Sequence, residues 1–323
     1  MAQEWAPGID KLGNSVEARL SFAHTKYKAG SYDKAIEEIQ AIIQMDPKNS
    51  DAYLLLGKIY YDRGDYLRAE ASAEAALKND PKIANGYILL ASIYYEMGKI
   101  KGAMNLCEKA IEIDPKLVIA HTMLGNMSFG EKEYKRAITE YKAALKINPQ
   151  SSIAHRQLGK SYLMEGDPQQ ALEEIKAALR LNPTDPDSHL KLGDIYSACG
   201  QNNDALNEYR HAGRIDTNSK AARIKAGDEY FKLGRFSEAL LEYKSAIRIN
   251  SANAFAHCGM GKVFLKLGQP KEAIAEFQAA LENDPELNEA KLGLITAQES
   301  ASQSPAADGQ EAAEKAGLTL PGE

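Results

Sequence analysis

Along most of this chain, apolar positions recur at three- and four-residue spacing, and that pattern itself repeats. In YLLLGKIYYDRGDY, residues 53–66, Tyr53, Leu56, Gly57 and Tyr60 fall on one stripe of an amphipathic helix. Residues 87–100, YILLASIYYEMGKI, write nearly the same stripe thirty-four positions later. The pattern predicts two helices per unit. The first, typified by 50–63, stops near Gly64, a residue suited to the left-handed conformation that ends helices. This glycine recurs as Gly30, Gly98, Gly166, Gly200, Gly234 and Gly268, with Lys132 the exception. The second, 66–79, carries Ala69, Ala73 and Ala76 on one side. It closes at Asp80-Pro81, because proline disfavours helical geometry in the residue before it.

The interval holds without insertion or deletion from Val16 to Leu287. Steps of thirty-four from Gly57 reach Ala23, Ala91, Gly125, Gly159, Gly193, Gly227 and Gly261. From Ala69 they reach alanine every time, from Ala35 to Ala273. From Pro81 they reach Pro47, Pro115, Pro149, Pro183 and Pro285, but Thr217 and Ser251 in units six and seven. Helices packed at about 8–10 Å leave room at their closest crossing for little more than Gly or Ala. One such pair cannot bury its own stripe, whereas a stack of pairs can.

Repeat two supplies Tyr53, Leu56, Gly57, Tyr60, Ala69, Ala73, Ala76 and Pro81 at the places of the motif W-x2-L-G-x2-Y, A-x3-F, A, P. Repeat eight supplies His257, Met260, Gly261, Phe264, Ala273, Phe277, Ala280 and Pro285. On these residues the chain resembles the tetratricopeptide-repeat proteins. The resemblance implies an all-α fold, a right-handed α-solenoid superhelix of stacked antiparallel helix pairs. Eight repeats are expected at 16–49, 50–83, 84–117, 118–151, 152–185, 186–219, 220–253 and 254–287. A capping helix follows at 288–300, with an irregular lead-in at 1–15 and a flexible tail at 301–323. The motif's tryptophan is replaced by Arg19, Tyr53, Tyr87, His121, His155, His189, Arg223 and His257, read as a packing position. Thr217, Ser251, Gly213, Arg223 and Ala226 predict a less stable or differently curved junction between repeats six and seven.

Composition narrows the function. A net charge of -6 and no basic patch argue against nucleic acid. No apolar run reaches a membrane span of about eighteen residues, so no membrane insertion is expected. The first residues lack a basic segment followed by an apolar one, which predicts a cytoplasmic protein. The histidines at the motif position lie about a repeat apart, too far to share a metal. Cys107, Cys199 and Cys258 have no metal spacing and are expected to be buried or inert. GMGK at 259–262 lacks the rest of a phosphate loop, since Ala256 and Val263 occupy its essential places. The sequon at Asn126 falls on a predicted helix. No nucleophile–base pair stands out, so neither an enzyme nor a cofactor is expected.

The resemblance also implies that first helices line a concave groove that receives a partner segment. The lining positions lie six and three before, and one, four and five after, the Gly57-type residue. Candidate site residues are Tyr27, Leu54, Lys58, Tyr61, Ile88, Tyr95, Asn126, Phe129, Arg156, Lys160 and Phe231. An aromatic track over repeats one to four is expected to take an apolar or amphipathic protein segment, with an acidic group near Arg156 and Lys160. The competing reading packs these residues inside the stack or leaves them as incidental surface. Lys262 and Lys266, with Asp51, Asp62, Asp187, Asp194 and Asp228, add mixed charge to the same face, the usual mark of a solvated one. Only Asn126 fits the family's carboxylate clamp, so that specificity is not carried over. A monomeric or weakly self-associating scaffold is the favoured function. The alternatives are a self-assembling unit, with Leu318 and Leu320 as a tail ligand, and a regulatory subunit of an enzyme complex.

Overall fold

The computed structural model describes residues 15–303, and among these it contains helices and short turns but no strand. Most of the expected lead-in, and the tail with Leu318 and Leu320, lie outside the described residues. The chain divides into two compact units, Met1–Gly166 and Asp167–Glu323. Unit 1 holds α1 (Val16–Lys28), α2 (Tyr32–Met45), α3 (Ser50–Asp62), α4 (Tyr66–Asn79), α5 (Ala84–Glu96), α6 (Ile100–Ile113), α7 (Val118–Gly130), α8 (Tyr134–Ile147) and α9 (Ser152–Glu165). Unit 2 holds α10 (Pro168–Leu181), α11 (Pro186–Ala198), α12 (Asn202–Ile215), α13 (Lys220–Lys232), α14 (Phe236–Ile249), α15 (Ala254–Lys266), α16 (Pro270–Asn283) and α17 (Asn288–Gln303). The expected capping helix is α17, which continues to Gln303. Within each unit consecutive helices pack as pairs. First helices of successive pairs also touch, α1 on α3 and α3 on α5 in unit 1, α13 on α15 in unit 2.

Local chemistry sets the boundaries. Asn49, Ser151, Asp185, Ser219 and Asn253 cap first helices, each side-chain oxygen accepting an otherwise unpaired backbone N–H. The glycines after first helices all have positive φ. Lys132 takes the same conformation at φ 64°, a strained choice for a residue with a Cβ. Second helices end on Asp or Asn, whose side-chain oxygen accepts the N–H two residues on. Asp216 and Asn250 do so where proline is missing, at 3.0 and 3.1 Å. The turn therefore does not depend on proline. A continuous core, including Tyr209, Ala226, Tyr230, Tyr243 and Met260, also crosses the junction of repeats six and seven.

Two couplings within repeats explain the small and the charged positions. Sixteen residues after the motif glycine, an aromatic ring fills the space that the missing Cβ leaves. A Cβ at Gly125, Gly193, Gly227 or Gly261 would meet the ring of Tyr141, Tyr209, Tyr243 or Phe277 at 2.8, 2.5, 2.7 and 2.8 Å. Nineteen residues after the motif's leading position stands a glutamate wherever that position is His or Arg. His121, His189 and His257 bond Glu140, Glu208 and Glu276 through Nδ1 at 2.7, 2.6 and 2.7 Å. Their Nε2 atoms meet the carbonyls of Pro115, Pro183 and Ser251. Arg19 and Arg223 make the equivalent bonds to Glu38 and Glu242, as ion pairs. This position is thus a polar pairing site as well as a packing site.

Candidate functional site

In unit 1 the aromatic residues at the expected groove positions are braced by the start of the following helix. Tyr27 packs at a tilt against Tyr32 and Tyr61 against Tyr66, and Phe129 meets Tyr134 edge-on, with centroids 6.0, 5.9 and 5.4 Å apart. The Tyr27 hydroxyl donates to Asp62 at 2.7 Å, and burial first, then this bond, raises its pKa to about 12. Burial and the Glu96 carboxylate raise that of Tyr61. Lys160 Nζ lies 5.2 Å from the Phe129 ring centre. Asn126 accepts from Tyr141 and Gln157. Lys58 and Arg156 are half-buried on α3 and α9.

Leu54 and Ile88 differ from the expectation. Both are buried in the cores between helices, so they are not open to a ligand. A side chain three before the glycine points toward the next first helix, and an apolar one there completes the stack. Four of the large apolar residues left exposed in unit 1 sit at other lining offsets, while Phe22, Met45, Leu67 and Ile113 are exposed elsewhere. Tyr95, Ile119, Ile153 and Met164 are 51, 49, 65 and 54% exposed on α5, α7 and α9. Ile119 and Ile153 stand six before the motif glycine and Met164 five after, so the offsets already contained them.

In unit 2 the first-helix face encloses a cavity of about 610 Å³. Its walls come chiefly from lining offsets: Asp194, Ser197 and Ala198 of α11, Ile224, Asp228, Phe231 and Lys232 of α13, Phe255 and Lys262 of α15, and Glu289 of α17. Among the candidate residues only Phe231 belongs to it, its ring tilted against that of Phe236 with centroids 5.7 Å apart. Asp194 accepts from the Tyr209 hydroxyl at 2.9 Å and pairs with Lys191 and Lys225, each at 2.8 Å. Burial opposes its charge, yet the two lysines outweigh burial and hold its pKa down. Asp228 accepts from Tyr243 at 2.7 Å, and burial pushes its pKa up despite that bond. Glu229 is buried, with Oε1 held by Lys232 and Ser197 at 2.6 Å each. Lys262 pairs with Glu289. The signal for these acids was the Tyr fifteen residues beyond each Asp, a second periodic coupling.

Burial raises the thiol pKa of Cys107 to about 12 and of Cys258 to about 11, while Cys199 is exposed rather than buried. Among the described residues no His, Cys, Asp and Glu cluster is placed to hold a metal, and no helix is long and apolar enough to cross a membrane.

The family model described as Cilia and flagella-associated protein 70 C-terminal domain, a tetratricopeptide-repeat domain, matches residues 3–221 and again 83–295. The chain belongs to this tetratricopeptide-repeat family. Overlapping matches fit a periodic domain, in which one model aligns in more than one register. No curated protein matches this tetratricopeptide-repeat chain. Among solved structures it is similar to one of the hetero-tetramer Cut9-Hcn1, at TM-score 0.60 and 21% identity, over 90% of this chain. It spans only 57% of that chain. A tetratricopeptide repeat protein from Parabacteroides merdae matches at TM-score 0.60 and 18% identity, over 77% of this chain and 98% of its own. YrrB, described as having an unusual peptide-binding site, matches at TM-score 0.50 and 23% identity, over 58% of this chain and 97% of its own.

Proposed function

We propose that this tetratricopeptide-repeat protein is a non-catalytic scaffold that binds a protein segment along first-helix faces. The observation that carries the reading is the set Tyr95, Ile119, Ile153 and Met164, large apolar side chains left in water on successive first helices of unit 1. Exposed apolar side chains at the lining offsets of successive first helices supply anchors for an apolar segment. Tyr61 on α3 and Phe129 on α7 supply braced rings, and Lys160 and Arg156 on α9 add positive charge for an amphipathic partner. YrrB offers a precedent for a peptide site on this fold.

The test is a selection of peptides from a random heptapeptide library on the full chain, followed by affinity measurement. Replacing Tyr95 and Ile153 together by Ser should weaken an apolar selected peptide by about tenfold or more, as loss of two anchors at an interface does. Circular dichroism should show unchanged helicity. Unchanged affinity in the double variant removes the reading for unit 1.

A further inference from the structure

The unit 2 cavity has an imbalance that its own side chains do not resolve. Four carboxylates line it, Asp194, Asp228, Glu229 and Glu289, against three ammonium groups, Lys225, Lys232 and Lys262. Each lysine is committed: Lys225 to Asp194, Lys232 to Glu229 and Lys262 to Glu289. Lys191, outside the lining, gives Asp194 a second cation. Asp228 is the carboxylate left over. Among the described residues its bonded partner is the neutral hydroxyl of Tyr243, and no ammonium group pairs with it directly. Beside it, Glu229 Oε2 is buried and receives no hydrogen bond from the described protein groups. A buried carboxylate oxygen without a donor is costly, and a second, under-paired carboxylate next to it in sequence compounds the cost.

We propose that the unit 2 cavity binds a cationic side chain of a partner segment, arginine above all, with Asp228 as its ion-pair acceptor and Glu229 as the reserve acceptor. This inference rests on the scaffold reading and gives it a ligand chemistry. Arginine is favoured over lysine because its planar fork presents five donors and is the more weakly hydrated cation. Phe231, Ile224 and Phe255 provide apolar wall for the arginine stem and its neighbours, and Phe255 is 59% exposed. Lys232 is half-exposed, so it can yield its place on Glu229 to a better donor. The Tyr243 ring sits against both Gly227 and Gly259, which fixes the hydroxyl that aims at Asp228.

The probe is the same random heptapeptide library, selected on the full chain. Enriched peptides should carry Arg or Lys beside apolar residues. For a synthesised arginine peptide, changing Arg to citrulline should weaken binding about tenfold or more, the scale of a charge-assisted bond. Asp228→Asn keeps an acceptor for Tyr243 and should cause the same loss. Tyr243→Phe keeps the ring but starves Asp228 further, so it should leave the arginine-to-citrulline ratio unchanged or raise it. Enrichment confined to peptides without Arg or Lys, or arginine and citrulline peptides that bind alike, overturns the proposal. Peptides that respond to the Tyr95 and Ile153 double variant but not to Asp228→Asn sink it while leaving the scaffold reading intact. No enrichment of any peptide contradicts the scaffold reading and this inference with it.

Discussion

The same five offsets within a repeat build two different surfaces in this protein. On the first helices of unit 1 they present Tyr95, Ile119, Ile153 and Met164 to solvent. On those of unit 2 they present Asp194, Asp228, Lys232 and Lys262 around a cavity. Backbone geometry is shared, because the Gly or Ala crossings and the Asx-closed turns recur in both. The difference lies in side chains that the fold does not need. Periodic positions dictate which face is available, and the unconstrained residues on it set its chemistry.

Removing a unit 2 core ring should have the largest effect. Tyr243→Ala empties a fully buried site and deprives Asp228 of its donor. A loss of about 3–5 kcal/mol is expected, as for large aromatic truncations, read as a lower denaturation midpoint in unit 2. An apolar peptide bound through Tyr95 should still bind unit 1. Loss of both activities together would mean that the two faces are not separable.

The motif glycine offers a sharper contrast. Gly193→Ala in unit 2 places a Cβ 2.5 Å from the Tyr209 ring, which is itself buried, and should cost about 1–3 kcal/mol by overpacking. Gly57→Ala in unit 1 meets the flexible end of Leu89 at 2.9 Å and backbone atoms only at 3.4 Å. It should cost less, and Ala91 already occupies the equivalent place one repeat later. Urea titration of both variants checks the order; equal losses would remove the ring-and-glycine explanation.

A smaller effect comes from pH. The Glu208 carboxylate raises the pKa of His189, with burial opposing it. A raised folded pKa means that this pair stabilises fully below the unfolded value near 6.5 and loses its contribution as pH rises through the folded one. The loss should be under about 1 kcal/mol, because solvent screens a partly exposed pair. Thermal melts from pH 6 to 9 should show this slope, and His189→Arg should flatten it, since Arg223 makes the same bond one repeat on.

The mildest change should stabilise. Asp216 has φ -112° and ψ 96°, extended geometry that suits a residue before proline, as Asp114 does before Pro115. Thr217→Pro should therefore add about 0.4–1 kcal/mol by restricting the unfolded chain. Amide exchange across residues 212–226 tests the junction itself. The continuous core and the Asp216 cap predict protection equal to that of neighbouring repeats.

The fold was legible because its period is written in residues that cannot be exchanged freely: the left-handed glycines, the crossing alanines and the turn prolines. Two more couplings were present but were hidden by reading one column at a time. Glu140, Glu208, Glu242 and Glu276 accompany His or Arg nineteen positions back, while Tyr53 and Tyr87 face Ser72 and Leu106. Rings accompany Gly125, Gly193, Gly227 and Gly261 sixteen positions back, whereas Ala73 and Ile175 follow Gly57 and Gly159. The binding face was less legible. An offset names a direction on the helix, but whether a side chain is covered depends on the next helix, which buries Leu54 and Ile88 and leaves Ile153 open. The unit 2 cavity was less legible because it is defined by how carboxylates and lysines pair, which no single position records.

The most direct test compares two single variants of similar chemistry. Ile153 on α9 and Leu67 on α4 are 65 and 73% exposed, but only Ile153 stands at a lining offset of a first helix. With an apolar peptide selected on the wild-type chain, Ile153→Glu should weaken binding at least about tenfold and Leu67→Glu should leave it unchanged. Equal losses in the two variants, or a loss confined to Leu67→Glu, would contradict the assignment of binding to the first-helix face.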